Sequence, residues 1–334
     1  MAETGTVLVT GGAGYIGSHA VLALRDAGYK VAVLDNLTTG FRWAVPDGVA
    51  FIEGDIGDVD FVGDVLDEHR VGAILHFAGS IIVPESVGNP LKYYRNNTAA
   101  SRALIEAAVT SGVKHFIFSS TAAVYGIPES SPIDENAAKS PINPYGTSKL
   151  MTEMMLSDVA AAHDINYGVL RYFNVAGADP HGRTGQSTAG ATHLIKIAAE
   201  AALGKRASVG VYGIDYATPD GTGVRDYIHV TDLAEAHVAA LRWLTEHPGE
   251  SFTANCGYSR GFSVLEVLDA VDRVAGVTLK RDLQARRAGD PDALVASNAK
   301  VLATLDWQPR LNDLDTIVRD ALAWERKLDA RAQH

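Results

Sequence analysis

Tyr145 and Lys149, in PYGTSK, lie one helical turn apart and share a face of any helix that contains them. An ammonium held near a phenol favours the phenolate, bringing a group of ordinary pKa near 10 toward the range of a general base. Ring packing with a lysine stem reaching to solvent is the other use of the same spacing. Thr121 supplies a third group. It sits in SSTAAVYG, directly after the apolar run VKHFIF, so its hydroxyl stands at a strand end and either relays a proton to Tyr145 or only caps the strand. Ser119 and Ser120 read as polar strand-end residues, and Tyr125 as a residue lining a cleft. No GxSxG elbow marks an acyl-transfer nucleophile, and the histidines match no HExxH or Cys/His pattern, so no metal is expected.

A cofactor is written near the start. VLVTGGAGYIGSH places Gly11, Gly14 and Gly17, with an additional Gly12, between a strand and the helix opening at Tyr15 and Ile16. Such a turn lets a pyrophosphate approach the backbone, and the helix N-terminus offers it amide donors and positive dipole. A purely structural glycine turn is the alternative. Asp35, ending the second strand beside Asn36, is placed to accept the hydroxyls of an adenosine ribose and would repel a 2′-phosphate, which favours NAD over NADP. Asp55, followed by Ile56 in EGDI, is either an acceptor for the adenine amino group or a helix cap. Phe77, Ala78 and Gly79 follow the fourth strand, where small residues let backbone meet cofactor. Asn97 is a buried polar support or a solvated helix residue, and Tyr172 in LRYFN is a further cofactor contact.

The elements that must position these groups alternate. Apolar strands at Thr6–Thr10, Val31–Leu34, Val49–Glu53, Ala73–Phe77, Val113–Phe118 and Tyr167–Arg171 are separated by helical patterns at Tyr15–Ala27, Val59–His69, Leu91–Thr110 and Gly146–Ala162. The pattern predicts an α/β fold, a Rossmann-like doubly wound and mostly parallel sheet, with a smaller mixed α/β substrate domain. Residues 1–175 form the large domain, with returning segments near 225–256 that include a strand at Phe252–Cys256. Residues 176–224 and 257–334 form mainly the smaller one, with helices at His193–Leu203, Gly261–Ala275, Asn298–Leu305 and Leu314–Leu328. The helix Thr231–Thr245 is given Thr231 as its N-cap. The 334 residues carry a formal net charge of −11, which disfavours nucleic acid. No run approaches the roughly 18 apolar residues of a membrane span. The single Cys256 and a start without a signal-peptide pattern place the protein in the cytoplasm.

TGGAGYIGSH, LDNL, EGDI, HFAG, FSS, VYG, PYGTSK, LRYFN and DGTGVRDYIHV together resemble the UDP-glucose 4-epimerase family, also called UDP-galactose 4-epimerase, of the extended short-chain dehydrogenase/reductases. The resemblance runs from Val7 to about Asp290. It implies a homodimer holding NAD tightly, with contacts through the Leu91–Thr110 and Gly146–Ala162 helices. It implies Thr121, Tyr145 and Lys149 as the catalytic Ser/Thr, Tyr and Lys, acting on UDP-glucose and UDP-galactose through a 4-keto sugar. Arg225 and Arg287 correspond to diphosphate-binding arginines, Asn174 to a diphosphate- or sugar-contacting asparagine, Tyr212 to the aromatic that stacks on uracil, and Asp290 to a uridine-ribose acceptor. His193 and Leu194 fall on a backbone segment near the nucleotide.

Some departures from the family pattern have chemical consequences. Ile81 stands where some members carry a lysine beside the pyrophosphate, removing one source of NAD retention. Leu294 stands where a bulky tyrosine accompanies selectivity for the glucose/galactose pair and a small residue accompanies acceptance of N-acetylhexosamines; leucine is intermediate, so leakage to UDP-N-acetylhexosamines is expected, with UDP-pentoses a further class. Ala122 and Ala123 occupy the positions of the Asp–Glu pair with which nucleotide-sugar 4,6-dehydratases expel water. A nucleotide-sugar dehydrogenase and a non-catalytic NAD-binding regulator are the remaining alternatives.

Overall fold

The structure is a computed structural model and describes residues 5–287 and 289–332. Strand β1 (Thr6–Thr10) passes through the glycine turn into α1 (Tyr15–Asp26), and β2 (Val31–Asp35), β3 (Ala50–Glu53), α2 (Val59–Glu68) and β4 (Val71–His76) follow. Next come the short helices α3 (Val83–Gly88) and α4 (Pro90–Tyr93), then α5 (Ala100–Thr110), β5 (His115–Thr121), α6 (Pro144–Ala162) and β6 (Asn166–Tyr172). The rest comprises β7 (Asn174–Ala176), α7 (Leu194–Ala202), β8 (Val209–Tyr212), β9 (Val224–His229), α8 (Val230–Glu246), β10 (Phe252–Cys256), β11 (Gly261–Ser263), α9 (Val264–Ala275), β12 (Arg281–Gln284), β13 (Ala293–Leu294), α10 (Ala299–Thr304) and α11 (Leu314–Ala332).

A seven-stranded sheet in the order β10-β6-β5-β4-β1-β2-β3 is parallel throughout. Its central strands read as continuous apolar runs because both faces are covered: β1 and β2 are buried at every position. One core joins the sheet to α1 and α8, and the core on the opposite face joins it to α2, α5 and α6. The chain winds outward in both directions from β1 and β4, so a crevice opens between their carboxyl ends, the place where open α/β sheets bind ligands. A four-stranded sheet gathers β7, β9, β11 and β13, and β8 pairs with β12. These pack with α7, α9 and α11 around a third core.

Some local expectations are corrected. The helix read as continuous from Leu91 to Thr110 contains a π-helical turn at Tyr94–Ala99 between α4 and α5. The wider i→i+5 ladder accommodates an extra residue and alters the helical phase there, and Asn97 is buried within it. Thr231 is not the cap of α8. His229 takes that place, its Nδ1 accepting from the Thr231 amide at 3.1 Å. Gly261–Ser263 is a strand, and the helix after it starts at Val264 with Ser263 and Glu266 forming a reciprocal capping box. No described helix is long and apolar enough to cross a membrane.

Candidate active site

Tyr145 reaches the end of β5 because of the residues flanking it. Asn143 accepts the Gly146 amide at 2.9 Å as the N-cap of α6, and Pro144 opens the helix with its φ already set. Gly146 then lets the helix touch the turn after Thr121: a Cβ there would lie 2.5 Å from the Ala123 carbonyl oxygen. Thr121 caps that turn, its hydroxyl accepting from the Ala123 amide at 3.2 Å, and is itself buried. Tyr145, Thr121 and Lys149 therefore share one strand end.

The electrostatics differ from those expected of a tyrosine beside a free ammonium. Burial pushes the Tyr145 phenol above its ordinary value, while Thr121, as a hydrogen-bond partner favouring the phenolate, pulls it down. Lys149 is held elsewhere. Its Nζ donates to the Ser119 carbonyl at 3.0 Å and lies 4.8 Å from the Phe118 ring centroid. Burial brings its pKa down to about 8, opposed by Glu153 one turn further along α6. Ser119 is more than a polar strand end, since its hydroxyl bonds that of Tyr172. Tyr125 does not line a cleft: it is 1% exposed, and its hydroxyl donates to Asn255 Oδ1 at 2.7 Å.

The residues assigned to the dinucleotide mostly follow the carboxyl ends of β1, β2, β3 and β4. Gly11 has φ +70°, and a Cβ on it would lie 2.6 Å from the Ala78 amide nitrogen, so the turn after β1 and the loop carrying Phe77, Ala78 and Gly79 meet closely. A Cβ on Gly17 would come within 2.1 Å of the Gly11 carbonyl oxygen. The N-terminus of α1 at Tyr15 and Ile16 has Gly14 as its cap and no side-chain hydrogen bond there, which leaves its amides to an anion. Asp35 accepts from the Ala13 amide at 2.9 Å and the Leu37 amide at 2.8 Å, and each oxygen keeps a second acceptor site. Asn36 is exposed and accepts from Thr38. Asp55 is not the helix cap: it turns the chain by accepting the Gly57 amide at 2.8 Å, and Asp58 caps α2; Ile56 is buried. Asn97 is a buried support, its Oδ1 accepting the Ser80 amide at 2.7 Å and its Nδ2 donating to the Ser80 carbonyl and to Ser148 Oγ. It thereby ties the loop after β4 to the helix bearing Lys149.

A second cluster lies on the smaller sheets. Arg287 stacks on Tyr212, 3.7 Å from its ring centroid. Arg225 and Asp290 both act electrostatically on Tyr216, in opposite senses. Asn174, His193 and Leu194 line one cavity with Gln186 and Tyr227. His193 is fixed by Gln186 at 2.7 Å. Leu294 connects the clusters, pairing with Arg225 in the β13/β9 register and packing against a core that contains Ala122, Val124 and Tyr125. Ile81 is 54% exposed.

A sequence model described as the NAD dependent epimerase/dehydratase family matches residues 7–257. The chain belongs to this family. It is 56% identical over 323 residues to the UDP-glucose 4-epimerase of Azospirillum brasilense, covering 97% of this chain and 92% of that one. The crystal structure of UDP-glucose 4-epimerase from Brucella ovis in complex with NAD is similar with a TM-score of 0.93 at 45% identity, covering 96% of this chain and 98% of that one. The UDP-Glc/GlcNAc 4-epimerase of Campylobacter jejuni is similar with a TM-score of 0.85, also at 45% identity, covering 97% and 99%. The resemblance carried by the short motifs therefore extends across almost the whole chain, and an NAD dependent epimerase/dehydratase with this turn, this Asp35 and this uncapped α1 fits a dinucleotide.

Sequence reasoning passed over the charges beneath this family's strand end. Glu153 and Arg171 are both buried and paired, Arg171 Nη1 also donating to the Tyr125 hydroxyl at 2.9 Å. The available signal was an arginine in the middle of an apolar strand, VLRYF, together with an acid spaced one turn beyond Lys149.

Proposed function

We propose that the protein inverts C4 of UDP-glucose and UDP-galactose reversibly, through a transient 4-keto sugar, with NAD held in the β1/β4 crevice. The observation that carries this reading is the meeting of Thr121, Tyr145 and Lys149 beside that crevice, on a strand end whose next residues are Ala122 and Ala123. When bound, NAD supplies the hydride acceptor and donor. The glycine turn and the amides of Tyr15 and Ile16 hold its pyrophosphate, Asp35 the adenosine ribose, Asp55 the adenine amino group and Lys149 the nicotinamide ribose. Tyr145 Oη takes the proton of the sugar 4-hydroxyl and returns it, Thr121 Oγ1 steers that proton and favours the phenolate, and the Lys149 ammonium, held at the Ser119 carbonyl, adds positive potential to the same strand end. Alanine transfers no proton, so Ala122 and Ala123 leave the C5–C6 elimination without its acid and base. On the nucleotide side, Arg225 and Arg287 offset the diphosphate, Asn174 contacts the diphosphate or the sugar, Tyr212 stacks on uracil, and Asp290 accepts from the uridine ribose.

Purified protein given UDP-galactose without added NAD should release UDP-glucose, resolved by chromatography, with no free NADH. A 4-keto-6-deoxy product, or NADH accumulating with product, would overturn the reading. The N-acetylhexosamine pair is the second reading. It is favoured by the intermediate size of Leu294 and by likeness to the Campylobacter jejuni enzyme described as acting on both pairs. A higher kcat/KM on UDP-N-acetylgalactosamine than on UDP-galactose would reverse the order. We assign the exposed Met151 and Met154 of α6 and Leu91 of α4 to a homodimer contact, which light scattering checks, and place the enzyme in the cytoplasm.

A further inference from the structure

Glu153 is 7% exposed, yet it is ionically and sterically committed. Its carboxylate accepts from Arg171 Nε at 3.0 and 3.2 Å, from Arg171 Nη2 at 2.5 Å, and from Ser120 Oγ at 2.5 Å. Arg171 is held in turn by Tyr125, and Tyr125 by Asn255. A buried ion pair is often no better for stability than apolar side chains of the same volume, so folding alone is a poor reason for this one. Its location supplies another. Ser120, anchored by Glu153, stands between Ser119, whose carbonyl accepts Lys149 Nζ, and Thr121, the partner of Tyr145.

Lys149 is 4% exposed, and burial by itself favours its neutral amine. Around it stand the His76 imidazole from β4, the Phe118 ring and Ser119 carbonyl from β5, and Tyr145 and Glu153 on its own helix. Arg171 and Tyr172 of β6 lie behind Glu153 and Ser119. His76 is neutral, its nitrogens shared with Thr10 and Ser101. Among these groups Glu153 is the negative charge.

We propose that Glu153, held by Arg171 and Ser120, is a positioning residue for the catalytic pair: it fixes the strand end from which Ser119 and Thr121 reach Lys149 and Tyr145, and stands one turn from Lys149 on α6 as the carboxylate facing its ammonium. The inference rests on the reading of Lys149 as the catalytic lysine.

The test is a titration of the holoenzyme labelled with 13C,15N-lysine, following the Lys149 13Cε resonance assigned by its loss in Lys149→Met. The native midpoint should lie near the value of about 8 set by burial and Glu153. Glu153→Gln should lower it by about one unit and reduce kcat about tenfold at pH 9, where the amine then outweighs the ammonium further, with KM changed less than about twofold. Glu153→Asp should recover part of the shift. Should Glu153→Gln fail to fold because Arg171 is left unpaired, Glu153→Gln with Arg171→Met removes both charges, and the same midpoint decides. An unchanged Lys149 midpoint in a folded variant overturns the inference while leaving the epimerase reading intact. A shifted midpoint in a protein whose native form inverts no UDP-sugar upholds Glu153 and overturns that reading instead.

Discussion

Burial and Thr121 pull the Tyr145 phenol in opposite directions, and burial is the stronger. The base form of Tyr145 therefore depends on each group that favours the phenolate. Thr121→Val keeps the shape and deletes the hydrogen bond, so the phenol rises further, less of it is phenolate at a given pH, and turnover at pH 7 should slow. Native turnover in that variant would remove Thr121 from the proton path. Tyr145→Phe keeps the ring beside Tyr93 but leaves nothing to accept the proton, and turnover should fall at least about a hundredfold in a coupled assay. The placement of Tyr145 and Lys149 one turn apart on a helix was legible in the sequence because an i,i+4 spacing is a local property. Tyr125 was misplaced because its partners, Arg171 and Asn255, are distant in the chain and reach it only after β6 and β10 have aligned.

The start of α6 is where an element controls chemistry. In an isolated helix, Gly146→Ala would stabilise by about 1 kcal/mol through backbone entropy alone. Here the new Cβ would lie 2.5 Å from the Ala123 carbonyl oxygen and 3.0 Å from Pro141 Cβ, so either the helix or the Thr121 turn must retreat. Overpacking of this kind costs about 1–3 kcal/mol, which reverses the sign. The variant should have a lower Tm and a lower kcat, with nearly unchanged NAD content after denaturation and release; a raised Tm at full activity would show that α6 has slack. The alternating strands and helices of the large sheet could be read from sequence because each is a continuous run bounded by glycine or a cap. The π-turn at Tyr94–Ala99 could not, since one added residue inside a helical pattern leaves the composition unchanged. Nor could the pairing of β7, β9, β11 and β13, whose short strands find partners far away in sequence.

At the scale of the whole molecule, the sheet and its covering helices enclose imidazoles that the fold keeps neutral. His76 bridges Thr10 and Ser101 across β1, β4 and α5; His237 packs between Phe77 and Tyr172; His19 bonds the Tyr15 carbonyl in α1. Burial lowers His19 and His237 to about 4 and His76 to about 3, whereas an unfolded histidine takes its proton near 6.5. Between those limits the unfolded chain binds more protons, so this stability is complete above pH 6.5 and is lost as pH falls toward 4 and 3. Asp226 works against it. Burial raises that carboxyl from 3.8 to about 6, so its contribution is present below 3.8 and is lost as pH rises through 6. For these four groups together, the balance near pH 5 is roughly two protons in favour of the unfolded chain, a slope of about 2.7 kcal/mol per pH unit, and the lowered His115 and His193 act in the same sense. Urea unfolding at pH 7, 6 and 5 should therefore show stability falling steeply at the acid end. His237→Phe, which keeps an aromatic ring between Phe77 and Tyr172 and removes one titrating site, should flatten the slope by about one proton, or about 1.4 kcal/mol per pH unit. Equal stability at pH 7 and pH 5 would mean that these histidines reach water in the folded enzyme, contrary to their enclosure between the sheet and its helices.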